Sequence, residues 1–208
     1  MSFFSGVKVI EEINSKINGK IKVVKSLAFG TYLQVDNLTQ SGGVVYEIWK
    51  ETIKEIRKQN SEIKNCLILG LGGGSAATLI QKFWPKAKIT GVDIDPKIVD
   101  LGKKYLGLKG VDIAIADAQD FVKKTKDKYD LILVDTYIGY DYPRKFESDA
   151  FLNHISTRLN KEGLAVFNRL FFDNKRSEAV KFGNKLERIF PEVEYFYPQA
   201  NMMLICKA

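Results

Sequence analysis

The sequence contains little of what metal centres and disulfide frameworks require. Among its 208 residues there are two cysteines and one histidine. Cys66 and Cys206 both lie inside apolar, strand-like runs, which indicates reduced, buried thiols rather than a disulfide. His154 cannot form a zinc site with two such distant thiols. We therefore expect no metal site, and a surface or packing role for the histidine.

Long hydrophobic runs are also missing. No stretch approaches the roughly 18 consecutive apolar residues of a membrane span. The N-terminal stretch, MSFFSGVKVIEEINS, lacks a basic region followed by an apolar block, so it does not have the pattern of a secretion signal. These features predict a cytoplasmic protein with no membrane partner.

Positive charge is in excess but is not concentrated anywhere. The net charge is +7, yet the lysines are spread over predicted helix faces such as KETIKEIRK and FVKKTKDK, without a dense basic run or interleaved aromatic residues. Solvated helix faces explain this pattern better than a nucleic-acid surface does. A nucleic-acid partner is therefore not expected.

Residues 1–43 are predicted to form a small antiparallel β meander. Three stretches, VKVIEEIN, KIKVVKSL and TYLQVD, alternate in polarity or carry β-branched residues, and Asn18-Gly19 provides a hairpin turn. The next segment, SGGVVYEIWKETIKEIRKQN, places apolar residues near helical spacing and predicts a helix. We divide the chain into an N-terminal β meander, residues 1–43, and a second domain, residues 44–208.

The second domain alternates strands with helices. The predicted strands are 66–70, 87–92, 111–116, 130–135 and 163–168. The predicted helices are 75–83, 96–105, 118–124, 147–159 and 175–189. Two extended stretches, EVEYFYP and MMLICKA, should complete the sheet as a hairpin. This order predicts an α/β fold with a doubly wound, mostly parallel sheet, whose ligand sites lie beyond the carboxyl ends of the strands.

Three consecutive strand ends carry glycine or aspartate. In the first, CLILGLGGGSAATLI, Gly70, Gly72 and Gly74 lie between a strand and a helix, where a backbone without side chains can approach a ligand closely. The second strand ends at Asp93, which is suited to accept both hydroxyls of a ribose. The third ends at Asp117, which is suited to accept from an adenine amine. Together the three strand ends predict an adenosyl ligand.

Two alternatives stay open for these residues. Asp93 and Asp117 could each cap the helix that follows. NAD is a further candidate ligand, although Ser75 stands where the dinucleotide pattern G-x-G-x-x-G has its third glycine.

With these motifs in place, the chain resembles the spermidine synthase (polyamine aminopropyltransferase) family, within the class I AdoMet-dependent methyltransferase-like fold. The segments that carry the resemblance are LQVDNLTQSGGVVYE, LILGLGGGS, GVDIDP, ADAQDF, YDLILVDTY and NMMLICKA. They cover nearly the whole chain in the family's order. The resemblance implies a seven-stranded Rossmann-like sheet and a co-substrate that is either decarboxylated AdoMet or AdoMet, with no metal.

The resemblance also implies roles for particular residues. Gln40 would border the nucleoside, and Tyr46 would be the tyrosine of the family's Y-H-E motif, whose histidine is absent here. Ile94 would cover the face of the adenine. Ala118 would read the edge of the adenine together with Asp117.

Asp135 matches the first acid of the family's D-S-S-D-P loop, and it ends the apolar run LILV. A carboxylate at this position can take a proton from an attacking amine, although a helix-capping role is the alternative. Two family acids are missing. Gly73 replaces the aspartate that holds the aminopropyl amine, and Ile138 replaces the second acid of the loop. Asp141, in DTYIGYDYP, is a candidate replacement for that second acid.

Three functions follow from this resemblance. The first is transfer of an aminopropyl group from decarboxylated AdoMet to a polyamine amine, with Asp135 as general base. The second is methyl transfer from AdoMet on the same scaffold, which Gly73 favours because an aspartate beside the donor's carboxylate would repel it. The third is a non-catalytic nucleoside-binding module. A small amine is the expected partner, and the family implies a homodimer formed through the N-terminal strands.

Overall fold

The computed structural model describes residues 6–59 and 62–208, and its chain begins with a four-stranded antiparallel sheet. The first five residues of the predicted meander lie outside the described residues. Its strands are β1 (Val7–Ser15), β2 (Gly19–Ser26), β3 (Gly30–Val35) and β4 (Leu38–Gly42). Each strand pairs with the next one in the chain.

Strand β4 was not predicted. Its sequence, LTQSG, is short and mostly polar, so it carries neither alternation nor β-branched enrichment. A tight turn produces it, because Asp36 and Asn37 both have positive φ, 47° and 63°, as the turn types of two-residue hairpins require. The helix that follows, α1 (Gly43–Gln59), therefore begins later than the predicted segment.

The rest of the chain builds a seven-stranded sheet with helices on both faces, which confirms the predicted fold class. The strands are β5 (Asn65–Leu69), β6 (Lys88–Asp93), β7 (Asp112–Ile115), β8 (Tyr129–Val134), β9 (Leu159–Leu170), β10 (Glu192–Phe196) and β11 (Asn201–Lys207). Their spatial order is β10-β11-β9-β8-β5-β6-β7. The five strands from β9 to β7 in this order are parallel, and the hairpin β10–β11 is antiparallel.

Five helices connect these strands: α2 (Ser75–Phe83), α3 (Pro96–Tyr105), α4 (Ala118–Lys124), α5 (Asp149–Arg158) and α6 (Lys175–Leu186). The predicted bounds of α2, α3 and α4 agree with the structure. Helix α5 is shorter than predicted because β9 already begins at Leu159, which pairs with Tyr129 of β8. No helix among the described residues is long and apolar enough to cross a membrane.

Two hydrophobic layers lie on opposite faces of the seven-stranded sheet. One contains Trp49 of α1 and Leu79 of α2, together with Ile21 and Leu33 of the N-terminal sheet. The other contains Phe151 of α5 and further apolar residues of α4 and α6. The N-terminal sheet therefore shares a core with one face of the larger sheet, and this contact holds it over the carboxyl ends of the strands.

Candidate active site

The carboxyl ends of β5, β6, β7 and β8 surround a cavity of about 190 Å³. The predicted site residues that line this cavity are Gln40, Gly70, Gly72, Asp93, Ile94, Asp117, Ala118 and Asp135. Parallel strands end at the same edge of a sheet, which is why residues far apart in the sequence meet here. We call this space the nucleoside cavity.

Gly70 allows the first and fourth strand ends to approach each other. It has a φ of +84°, and a Cβ at this position would lie 2.0 Å from the carbonyl oxygen of Asp135. Only glycine fits such a contact. The two strand ends are also tied by a hydrogen bond of 2.8 Å from Asp135 N to Leu69 O. The position of Gly70 therefore sets the position of the Asp135 backbone.

Asp93 presents its carboxylate between two backbone amides. Gly72 N donates to Asp93 Oδ2 at 2.7 Å, and Asp95 N donates to Oδ1 at 2.9 Å. Burial raises the pKa of Asp93 above its usual value, although these amides act in the opposite direction. Each carboxylate oxygen keeps a lone pair that can accept a ribose hydroxyl. The next residue, Ile94, is 41% exposed at the cavity, as a face that covers a base would be.

Asp117 is both a helix cap and a wall of the cavity. Its Oδ1 accepts from the amides of Gln119 and Asp120, so it caps α4. Its Oδ2 pairs with the ammonium of Lys145, which comes from the loop after β8. Burial opposes ionisation of Asp117, but Lys145 and the amides together hold its pKa below the usual value. An ion pair therefore forms this part of the cavity wall.

Asp135 follows β8 and is held by two neutral donors. Trp49 Nε1 donates to its Oδ2 at 3.0 Å, and Asn168 Nδ2 donates to its Oδ1 at 2.8 Å. Burial raises the pKa of Asp135 above its usual value, and these two hydrogen bonds offset part of that rise. The carboxylate is thus fixed in orientation with no cation among its hydrogen-bond partners in the described residues, and a cationic ligand would stabilise its charge.

A second cavity, of about 140 Å³, also has Asp135 in its wall. Gln40, Asp135 and Tyr137 line both cavities. The Tyr137 hydroxyl accepts a hydrogen bond of 2.8 Å from Leu170 N, which holds its ring at this junction. Because Asp135 borders both spaces, a second ligand in this one could also contact its carboxylate, and we call this space the acceptor cavity.

Three predicted residues lie away from the nucleoside cavity. Tyr46, in the first turn of α1, lines a separate depression against the N-terminal sheet. Asp141 is exposed and lines a charged groove that contains Arg169 and Glu178. Gly74, with a φ of +89°, is the N-cap of α2 and contributes to the turn rather than to the cavity wall.

Several lining residues were not predicted. Asn18, Thr136 and Lys145 line the nucleoside cavity, and Trp49 and Asn168 hold Asp135. Only Asn168 carried a usable signal, since it is a polar residue late in an apolar strand at the edge where the site lies. The other contacts join elements whose packing no local pattern reveals. Within the described residues, no group of three or more His, Cys, Asp or Glu side chains could hold a metal ion.

Comparison with known proteins identifies the family. Residues 46–200 match the family model described as "Spermine/spermidine synthase domain". The chain is 31% identical over 156 residues to a probable polyamine aminopropyl transferase of Bifidobacterium longum, covering 66% of this chain and 35% of that protein. It is also 31% identical over 191 residues to the eEF1A lysine and N-terminal methyltransferase homolog of Drosophila melanogaster, covering 86% and 27%.

A solved structure extends the comparison to the fold. Spermidine synthase in complex with the transition state analogue AdoDATO superposes with a TM-score of 0.81 at 17% identity, covering 96% of this chain and 73% of that one. The fold is thus that of a class I AdoMet-dependent methyltransferase-like protein. Within that class, the chain belongs to the spermine/spermidine synthase family. It spans about a third of the length of the two curated relatives named above.

Proposed function

We propose that this protein is a transferase that moves an alkyl group from a sulfonium nucleoside to the nitrogen of an amine. One observation carries the proposal: Asp135 stands where the nucleoside cavity meets the acceptor cavity, with both carboxylate oxygens oriented by neutral donors. A base at such a junction faces the attacking group of one ligand and the reactive carbon of the other.

The residues of the nucleoside cavity suit an adenosyl group. Asp93 would accept the ribose hydroxyls, Ile94 would cover the base, and Ala118 would offer its backbone amide to the base edge. Asp117 would accept from the exocyclic amine with Oδ2, in competition with Lys145. The donor, when bound, supplies a carbon made electrophilic by the neighbouring positive sulfur.

Asp135 would act on the amine. An alkylammonium ion has no lone pair, so it must lose a proton before it can attack, and its pKa in water is near 10. The Asp135 carboxylate can accept that proton and pass it to solvent. The freed nitrogen then forms a bond to the donor carbon while the carbon–sulfur bond breaks, and a neutral thioether leaves. General-base help of this kind contributes about 10²- to 10⁴-fold in rate.

Aminopropyl transfer from decarboxylated AdoMet is the first candidate reaction. Family membership over residues 46–200 and the Bifidobacterium relative support it. The acid that opens the loop after β8 is kept as Asp135, and the same acid could serve a small amine acceptor.

Methyl transfer from AdoMet is the second candidate, and Gly73 favours it. A Cβ at this position would lie 2.7 Å from Leu106 Cδ1 and 2.9 Å from both Leu33 Cδ1 and Ser41 Cβ. The surrounding packing therefore leaves no space for the aspartate that the family uses for the aminopropyl amine. The Drosophila methyltransferase relative supports the same candidate.

Product analysis separates the two reactions. The protein is incubated with AdoMet or decarboxylated AdoMet and a panel of amines, and the nucleoside product is identified by mass spectrometry. Methylthioadenosine identifies aminopropyl transfer, and S-adenosylhomocysteine identifies methyl transfer. The absence of both products, with methylthioadenosine still binding, would contradict the transferase proposal and favour a binding module.

Asp135→Asn tests the assigned base. The amide keeps the shape of the side chain but cannot accept the amine proton, so we expect turnover to fall by about 10²-fold or more. Methylthioadenosine affinity should stay within a few fold. Asp112→Asn is the matched control, since Asp112 is exposed at the opposite, amino end of β7 and should leave both quantities unchanged. Full activity in Asp135→Asn would refute the role.

A further inference from the structure

The acceptor cavity has one anionic end. Asp135 is its only carboxylate among the lining residues that the structure describes. Tyr137 stands beside Asp135, and aromatic faces stabilise a nearby ammonium. A single cationic nitrogen placed here would meet both a charge partner and a ring.

Apolar side chains form much of the remaining wall, and the neutral side chains of Thr39, Gln40 and Gln199 also border it. Val44, Val45 and Ile48 come from α1, and Leu170 and Phe172 come from the end of β9 and the loop after it. These side chains would contact the body of the acceptor, where burial of methylene groups is favourable by about 0.8 kcal/mol each. The cavity is therefore built for an aliphatic or aromatic body attached to the amine.

The polar side chains deeper in the cavity are neutral and already paired. Asn201 Nδ2 donates to Asn168 Oδ1 at 2.6 Å, and Asn168 in turn donates to Asp135 Oδ1 at 2.8 Å. Both asparagines are nearly inaccessible to solvent. The donors of these two amides point toward Asp135 and stabilise its negative charge. The amides carry no charge themselves, so they provide no ion-pair partner for a second cation.

We propose that the acceptor is an amine with a single cationic nitrogen and an apolar body, and that the cavity discriminates against diamines. The inference rests on the proposed function, because it assumes that this cavity holds the acceptor. A second ammonium group would lie among apolar side chains, neutral amides and the Thr39 hydroxyl, with no second carboxylate among the described lining residues, and an unpaired charge there is costly. The acceptor class thus differs from the polyamine that family resemblance implies.

Equilibrium binding tests the inference without requiring turnover. The protein is saturated with methylthioadenosine, and 1-aminobutane and 1,4-diaminobutane are titrated into it by calorimetry at pH 7, where both amines are protonated. We expect the monoamine to bind at least about tenfold more tightly. Equal or tighter binding of the diamine, or failure of both amines to bind, would overturn the inference.

A charge-introducing variant gives a second test. Gln199, exposed at the rim of the acceptor cavity, differs from glutamate only in its terminal group. We expect Gln199→Glu to improve diamine binding about tenfold relative to monoamine binding, because the new carboxylate can pair with the second ammonium. Gln34→Glu adds the same charge on the N-terminal sheet, outside the cavity, and should leave the ratio unchanged. An unchanged ratio in Gln199→Glu would contradict the inference.

Asp173→Asn is a further control, because Asp173 is a carboxylate close to the cavity in the sequence. It is exposed and follows the lining residue Phe172 in the sequence, but it does not line the cavity. Asp173→Asn should therefore leave the ratio of amine affinities unchanged, and loss of diamine binding in this variant would count against the inference. Turnover is measured separately. If no nucleoside product forms, the transferase proposal fails, whereas the ratio of monoamine to diamine affinity still decides which class of amine the cavity binds.

Discussion

At the scale of single residues, the pKa values of two carboxylates in one cavity are shifted in opposite directions. Asp135 accepts from the neutral groups of Trp49 and Asn168, and burial raises its pKa. Asp117 is paired with the Lys145 ammonium and with helix amides, and its pKa is lowered. The same residue type is therefore suited to proton transfer at one end of the cavity and to permanent charge at the other.

The titration of these two groups is a direct prediction. We expect the titration midpoint of the Asp135 carboxyl ¹³C signal to lie above the ordinary aspartate pKa of 3.8, and that of Asp117 to lie below it. The two pKa shifts therefore make folding stability depend on pH in opposite directions. The raised pKa of Asp135 makes the chain lose stability as pH rises from 3.8 through the folded value, whereas the contribution of Asp117 is lost as pH falls through its folded value.

NMR of aspartate-labelled protein measures both midpoints, with each signal assigned by its loss in the corresponding asparagine variant. A midpoint for Asp135 at or below that of Asp117 would show that the environment of Asp135 is not as described.

At the scale of elements, the β1–β2 hairpin lines the nucleoside cavity with Asn18 and is bonded to Asp95. Ser15 Oγ and Asn18 Nδ2 both donate to Asp95 Oδ2, and Asp95 Oδ1 caps α3 by accepting from Lys97 N at 2.9 Å. The backbone amide of Asp95 binds Asp93. Asp95 is 1% exposed, so the turn of the hairpin completes a buried polar network next to Asp93.

Asn18→Ala tests this connection. Removing the amide leaves Asp95 with one fewer buried donor and takes one wall from the nucleoside cavity. We expect a loss of about 1.5–3 kcal/mol of stability and a decrease of roughly tenfold in methylthioadenosine affinity, with amine affinity at saturating nucleoside nearly unchanged. Asn14→Ala is the control, because its side chain is exposed on the same hairpin, whereas its pairing with Lys20 and the hydrogen bond that it accepts from Lys97 Nζ involve only its backbone. Equal nucleoside affinity in both variants would show that Asn18 does not contribute to ligand binding.

At the scale of the whole molecule, the hydrophobic core crosses the proposed boundary between residues 43 and 44. Ile21 and Leu33 of the N-terminal sheet belong to the same buried cluster as Trp49 and Leu79. Ser41 of β4 also accepts a hydrogen bond of 2.7 Å from Gly73 N in the glycine loop. The division into two domains stays a proposal, and this packing makes us expect the two parts to unfold together.

Hydrogen exchange at increasing urea concentrations measures that cooperativity. We expect backbone amides of β2 and of β5 to lose protection at the same urea concentration, because each strand packs on the shared cluster. Exchange is followed by mass spectrometry on peptides that contain each strand. Loss of protection in β2 well below the midpoint for β5 would instead indicate an N-terminal sheet that unfolds on its own.

Local signals account for the elements that were predicted closely. Helix α3 begins at Pro96, directly after its cap Asp95, and helix α4 begins directly after its cap Asp117. Strand β4 had no such signal, because it forms through the turn at Asp36-Asn37 and through pairing with β3. Sequence patterns identify segments that specify their own conformation, and they miss segments whose conformation depends on a neighbour.

The sequence by itself determined the alternating order of strands and helices, and with it the edge of the sheet where Gly70, Asp93, Asp117 and Asp135 collect. Parallel strands place their carboxyl ends together whatever the loops between them do. Only the tertiary structure decided which partners those residues have: Lys145 for Asp117, and Trp49 with Asn168 for Asp135. Such contacts join side chains far apart in the chain, so they depend on how the layers pack and not on any local pattern.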